Sequence, residues 1–332
     1  VSGDPSGATG APGGTARGAD AASWSTEDIP DLTGKAVVLT GVTGGLGTEA
    51  AYQLAHHGAR IVATGRDLAK VEEALTALRH GVHDLDATAV RIDLADLGSV
   101  REGAAEIMAH AGTVDVLLNN AGVMASPRRT SAQGFELQMA TNHLGHFALT
   151  AHLWPMLVAS RARVVSVSSL MHSFARGIDL KTLQPHAELR RYGRWTAYYQ
   201  SKLANLLFMR ELDRRVRAAG IDVTSVAAHP GWALTHLDRS GFELGGRSFQ
   251  RVLVHQVSRA IAQSAAAGAW PLERAATEPG LPGGSYVGPS GPRQLRGRPR
   301  LVGMTSTARD PQLAADLWAA SEAAAGLTFD AT

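Results

Sequence analysis

A chain of 332 residues with 45% hydrophobic residues has the length and make-up of one large or two small globular domains, and its formal net charge of +2 gives no ground for a nucleic-acid partner. It contains no cysteine, which excludes disulfides, thiolate metal sites and cysteine nucleophiles. Its apolar runs fall short of the roughly 20 residues that span a membrane, and no basic stretch followed by an apolar one opens the sequence as a secretory signal would; a soluble, cytoplasmic protein is expected.

Residues 1–22 are mostly Gly, Ala, Ser, Thr and Pro, which bury too little apolar surface to offset the entropy of ordering, so a disordered tail is expected there. From Lys35 onward the pattern alternates. Ala36–Thr40 (AVVLT) reads as a buried strand, Glu49–His57 as a helix closed by Gly58, and Arg60–Thr64 as a second strand. Leu68–Leu78 is an amphipathic helix, Thr88–Ile92 a third strand, Val100–Ala109 a helix and Val114–Leu118 a fourth strand. A long helix over Gln133–Ser160, a strand over Arg163–Val167 and a second long helix over Thr196–Ala218 follow. Strands at Asp222–Ala227 and Ser285–Val287 and a helix at Pro311–Ala324 complete the series. Met171–Trp195 is a basic, loop-like insertion. The alternation predicts an α/β, single-domain, doubly wound (Rossmann-type) parallel sheet of about seven strands with helices on both faces, over residues 30–326.

The first strand runs into Gly41-Val42-Thr43-Gly44-Gly45-Leu46-Gly47. Glycines between a strand and a helix allow a tight turn and close backbone approach to a pyrophosphate, and the helix N-terminus favours an anion. A glycine-rich structural turn is the plain alternative. The second strand ends at Gly65-Arg66-Asp67. An arginine there accommodates the 2′-phosphate of NADP, whereas an acid binds the ribose of NAD. NADP(H) is therefore favoured through Arg66. NAD(H) stays open, because Asp67 is also within reach of the ribose; the plain alternatives are that Arg66 is solvated surface and that Asp67 only caps the next helix. Tyr198 and Lys202 stand four residues apart in a helical stretch and share a face. An ammonium beside a phenol lowers its pKa, so the pair can act as a general acid/base.

These segments resemble the short-chain dehydrogenase/reductase family. The glycine loop is similar to its TGxxxGxG motif, and Tyr198-Tyr199-Gln200-Ser201-Lys202 to its YxxxK. Asn120-Ala121-Gly122 resembles the end of its NNAG, and Asp93-Leu94 the pair that contacts adenine. Asn142 resembles its helix asparagine and Ser169 its active-site serine, while Pro230-Gly231 with Thr235 resembles the turn that touches nicotinamide. NHLGHF, QSKLANLLF and HPGW are most similar to the retinol-dehydrogenase-like branch. The resemblance implies a catalytic tetrad of Asn142, Ser169, Tyr198 and Lys202. In it, Ser169 holds the substrate oxygen, Tyr198 trades the proton, Lys202 tunes the tyrosine and holds the nicotinamide ribose, and Asn142 places a water. Many NADP-preferring members have a basic residue before Gly45; with Gly44 there, phosphate recognition falls to Arg66.

The expected activity is hydride transfer between NADP(H) and a small lipophilic carbonyl/alcohol pair. A non-catalytic dinucleotide-binding regulator and a carbon–carbon double-bond reductase remain alternatives on the same fold. The resemblance also implies a homo-oligomer, dimer or tetramer, built on the two long helices. The 13 histidines show no ligand spacing, so no metal is expected, and His143 is expected to pack beside the active site. Trp195, Trp232 and Phe242 flank the catalytic segments, as pocket lining or as core.

Overall fold

The computed structural model describes residues 24–188, 192–232 and 264–331. The tail expected over 1–22 lies outside the described residues. The chain begins with β1 (Ala36–Thr40), α1 (Gly45–His56), β2 (Arg60–Gly65), α2 (Leu68–Arg79), β3 (Ala87–Arg91), α3 (Leu97–His110) and β4 (Val116–Asn119). A helical turn (Leu137–Met139) and a π-turn (Ala140–Leu144) lead into α4 (Gly145–Ala159). Then come β5 (Arg163–Val167), α5 (Arg194–Ala219), β6 (Thr224–Ala228), α6 (Ala265–Thr277), β7 (Tyr286–Pro289), β8 (Pro299–Leu301) and α7 (Pro311–Ala325).

The strands form one sheet in the order β3-β2-β1-β4-β5-β6-β7-β8. The first seven run parallel, and β8 pairs antiparallel with β7. All five residues of β1 are buried, because helices cover both faces and a continuous apolar run suits a strand with no wet side. Val37 pairs with Ile61 on one side and Val116 on the other. One face packs Leu54 of α1, Leu75 of α2 and Leu272 of α6. The other packs Ile107 of α3, Phe147 of α4, Leu212 of α5 and Trp318 of α7. The chain winds outward from β1 in one direction to β3, then returns to β4 on the opposite side. That reversal opens a crevice at the carboxyl ends of β1 and β4, where ligands bind in open α/β sheets.

Several boundaries differ from expectation. α1 starts at Gly45, four residues before the expected Glu49: Gly44 N–H donates to Gly41 O (3.2 Å) in the turn, and Thr48 N–H to Gly44 O (2.8 Å) already winds the helix. The long helix expected from Gln133 starts at Leu137. Gly134, at a φ of 85°, breaks the backbone, and the Glu136 carboxylate caps the N–H groups of Gln138 and Met139 (3.0 and 2.7 Å). The insertion expected as loop contains two 3-10 turns, Leu170–Phe174 and Leu180–Leu183, the first of them started by Ser169 and the second by Asp179. Helix α6 and strand β8 were not anticipated. Pro271 and a run of alanines hide the helical period in α6, and β8 is a three-residue edge strand opening on a proline.

Candidate active site

The glycine loop, Arg66, Asp93, Asn120, Ser169 and Pro230 follow the carboxyl ends of β1, β2, β3, β4, β5 and β6, while Asn142 lies in the π-turn and Tyr198 and Lys202 on α5. Gly41 follows β1 with a φ of 76°, and a Cβ there would lie 2.9 Å from Ala121 Cβ. A Cβ on Gly47 would overlap Gly41 O, so the first turn of α1 can lie against the loop only without a side chain. Thr43 is exposed at the tip, Leu46 is buried beneath it, and Gly44 is an N-cap whose position carries no side-chain hydrogen bond. No side chain caps the first N–H groups of α1, which lie at the positive end of the helix dipole. That cradle fits a pyrophosphate.

Asn120 closes the floor of the loop: its Nδ2 donates to Thr40 O (2.8 Å). The N–H groups of Asn120 and Ala121 both donate to Thr40 Oγ1 (2.9 Å each). Thr40 Oγ1 in turn meets His146 Nε2 at 2.9 Å, and His146 Nδ1 meets Asn142 O at 3.0 Å. A carbonyl accepts only, so Nδ1 carries the proton and Nε2 accepts from the threonine hydroxyl. Burial holds His146 neutral, its pKa down to about 4. The line from the loop floor through Thr40 and His146 therefore ends on the main-chain carbonyl of Asn142, which the π-turn has taken out of the regular α-helical pattern. Sequence reasoning missed His146; its position four residues after Asn142 was the only signal. His143 instead meets Ser321 Oγ at 2.7 Å and packs among aromatic rings.

Asn142, Tyr198 and Lys202 are buried together, and Ser169 is half-buried beside them at the end of β5. The Asn142 amide is fully engaged: Oδ1 accepts from Val123 N–H (2.7 Å), and Nδ2 donates to Val123 O (2.9 Å) and Ser201 Oγ (2.8 Å). Lys202 Nζ donates to Val167 O at 3.0 Å and lies 6.0 Å from the centre of the Tyr198 ring. Burial pushes the Lys202 ammonium down to about 8. Gly122 makes room here, for a Cβ on it would lie 3.1 Å from Asn142 Oδ1 and 3.4 Å from Lys202 Nζ. Of the adjacent serines, Ser168 is fully buried and donates to Lys202 O (2.7 Å), whereas Ser169 Oγ accepts from Met171 N–H (3.2 Å) and keeps an outward aspect.

Arg66 and Asp67 follow β2, both exposed. The Asp67 carboxylate is already engaged: it accepts from Lys70 N–H at 3.3 Å as the cap of α2 and lies 3.7 Å from Lys70 Nζ. Asp93 accepts from Ala95 N–H (2.9 Å), and Leu94 is buried under Gly145. Pro230 and Gly231 follow β6, with Gly231 at a φ of 68°. Thr235 and Phe242 lie outside the described residues, while Trp195 packs edge-on to Tyr198 at 6.3 Å.

The profile of the short chain dehydrogenase family matches residues 35–178. Polyprenol dehydrogenase of Mus musculus is 38% identical over 88% of this chain and 84% of its own length. The chain belongs to the short-chain dehydrogenase/reductase family. Retinol dehydrogenase 13 of Homo sapiens is 43% identical over 63% of this chain, and the match spans 62% of that protein's length. Within the family this chain thus falls in the retinol-dehydrogenase-like branch. A crystal structure of an uncharacterized protein from Mycobacterium paratuberculosis superposes with a TM-score of 0.74 at 38% identity, covering 92% of this chain and 98% of that one. A short-chain type dehydrogenase/reductase from Mycobacterium marinum, at 18% identity and a TM-score of 0.61, shares the fold. Short-chain dehydrogenases/reductases bind NAD(P)(H), and the glycine cradle fits the pyrophosphate of such a dinucleotide. Among the described residues, no helix is long and apolar enough to cross a membrane.

Proposed function

We propose that this short-chain dehydrogenase/reductase interconverts a lipophilic aldehyde or ketone and its alcohol with NADP(H), using Tyr198 as the acid/base. The observation that carries the reading is the buried Tyr198–Lys202 pair on one face of α5, with the ammonium braced on Val167 O and the half-buried Ser169 beside it. The bound nicotinamide supplies or takes the hydride. In reduction, Tyr198 Oη gives its proton to the substrate oxygen that Ser169 Oγ holds; in oxidation it takes that proton back. Lys202, whose burial brings it to about 8, favours the phenolate by its charge. The Asn142 side chain is spent on Val123 and Ser201, so its part is to hold the π-turn, and its main-chain carbonyl, which accepts from His146, has a second lone pair to hold a water.

Arg66 supports the preference for NADP(H), because the Asp67 carboxylate beside it is committed to α2 and Lys70. A lipophilic substrate is supported by the aromatic rim at the catalytic tyrosine. Trp195 and Tyr199 are half-buried there, and Phe174 stands 64% exposed against Tyr199. It is also supported by relatives named for retinol and polyprenol, both lipophilic alcohols.

Tyr198→Phe tests the assignment. Turnover should fall by about 100-fold or more, the scale of general acid–base catalysis, while dinucleotide affinity stays within about twofold, less than one lost hydrogen bond is commonly worth. A variant that keeps its turnover would remove Tyr198 from the chemistry.

A further inference from the structure

The loop that follows β6 is tied to a part of the fold with no place in the family motifs. His229 is fully buried, and its ring lies over Gly288, where any Cβ would collide with Nε2. Gly231 N–H donates to His229 Nδ1 at 3.1 Å. Nδ1 is therefore the acceptor, the proton sits on Nε2, and Nε2 donates to Gln294 Oε1 at 2.9 Å. A second bond runs alongside, from Trp232 N–H to Leu295 O at 2.8 Å. Gly231, in the left-handed region, packs so closely on Leu295 that a side chain there would meet its carbonyl.

Gln294 and Leu295 belong to the connection between β7 and β8. Ser290 N–H donates to Arg298 O (2.8 Å) and Gly291 N–H to Arg296 O (2.9 Å), so the hairpin is closed up to its tip. At that tip Arg293 and Gln294 both take left-handed backbone conformations, with φ of 54° and 57°. Such a conformation is costly for a non-glycine residue and persists only where its surroundings enforce it. Here it delivers the Gln294 amide to His229. The antiparallel strand β8 gains only three paired positions, so its hydrogen bonds alone are a small reason for the hairpin.

We infer that the β7–β8 hairpin is a strap for the nicotinamide half of the dinucleotide, with Gln294 as a positioning residue that sets the His229–Trp232 loop through the His229 ring. The inference rests on the proposed dinucleotide site. Burial supports it by keeping His229 neutral, its pKa down to about 3, and the Gly231 N–H on Nδ1 fixes the tautomer, so the two bonds of the ring point in fixed directions. The Gln294 side chain is bonded to His229 and not to the glycine cradle, so loss of that bond should spare the adenosine end of the dinucleotide.

The test compares Gln294→Met, which keeps the length and removes the acceptor, with Gln294→Glu, which keeps an acceptor. Binding is measured on the whole protein by tryptophan fluorescence, with NADPH and separately with ADP-ribose and its 2′-phosphorylated form, which lack nicotinamide. The Met variant should bind NADPH about 3- to 10-fold more weakly, the worth of one buried hydrogen bond, with both ADP-ribose ligands bound as in wild type. The Glu variant should restore NADPH binding. Unchanged NADPH affinity in the Met variant, or an equal loss for all ligands, overturns the strap while leaving the site intact. A wild-type protein that binds none of the ligands overturns the dinucleotide site itself, and the strap with it.

Discussion

Glu273 of α6 is fully buried, and neither of its carboxylate oxygens has a hydrogen-bond partner among the described residues. Burial first, and the nearby Glu49 second, push its pKa well above the ordinary carboxylate value. The folded state therefore holds this proton more tightly than the unfolded chain does, so folding stability falls as pH rises past the unfolded carboxylate value toward the folded one. Glu273→Met removes both unpartnered oxygens at similar length. Its advantage in melting temperature over wild type should be larger by roughly 2 °C or more near about pH 8 than near about pH 4.5. A gap that stays constant over that range would mean that Glu273 does not titrate. Arg66 belongs to the same scale. If it binds the 2′-phosphate, Arg66→Ala should lower the preference for NADPH over NADH by about 10- to 100-fold, the worth of hydrogen bonds to a charged group. Steady-state rates with both dinucleotides measure this, and an unchanged ratio would assign phosphate recognition elsewhere.

At the scale of elements, the glycine loop and the start of α1 behave as one unit. Gly47→Ala must push a methyl group into Gly41 O, which is backbone and cannot swing away. Its dinucleotide affinity should drop by about 10-fold or more, because the cradle itself must shift. Gly303→Ala is the control, since a Cβ there meets nothing within 4 Å, and calorimetric titration of both variants separates a local effect from a general one. The same scale shows what the sequence could reveal. β1, the glycine turn and the Tyr198–Lys202 spacing were legible because each is a short contiguous pattern, read together with its place in the alternation of strands and helices. The π-turn at Asn142 was not, because its side chain depends on partners brought by the fold, Val123 and Ser201. Helix α6 was hidden by its own alanines and Pro271, and the Gln294 contact joins residues 65 positions apart with no pattern between them.

For the whole molecule, the doubly wound sheet gathers the glycine cradle, Arg66, Asp93, Asn142, Ser169, Tyr198, Lys202 and the Pro230–Gly231 turn at one edge, from elements far apart in the chain. The alternation of strands and helices in sequence was enough to anticipate the sheet, and among the described residues the antiparallel β8 is the one strand added to it. The measurement that bears most directly on the central claim is consumption of NADPH, and separately of NADH, by the wild-type protein with a panel of lipophilic aldehydes and ketones, with Tyr198→Phe as the blank. The account predicts ready consumption of NADPH, weaker use of NADH and silence from the Phe variant. Equal consumption by wild type and the Phe variant would contradict it, and a preference for NADH would contradict the part assigned to Arg66.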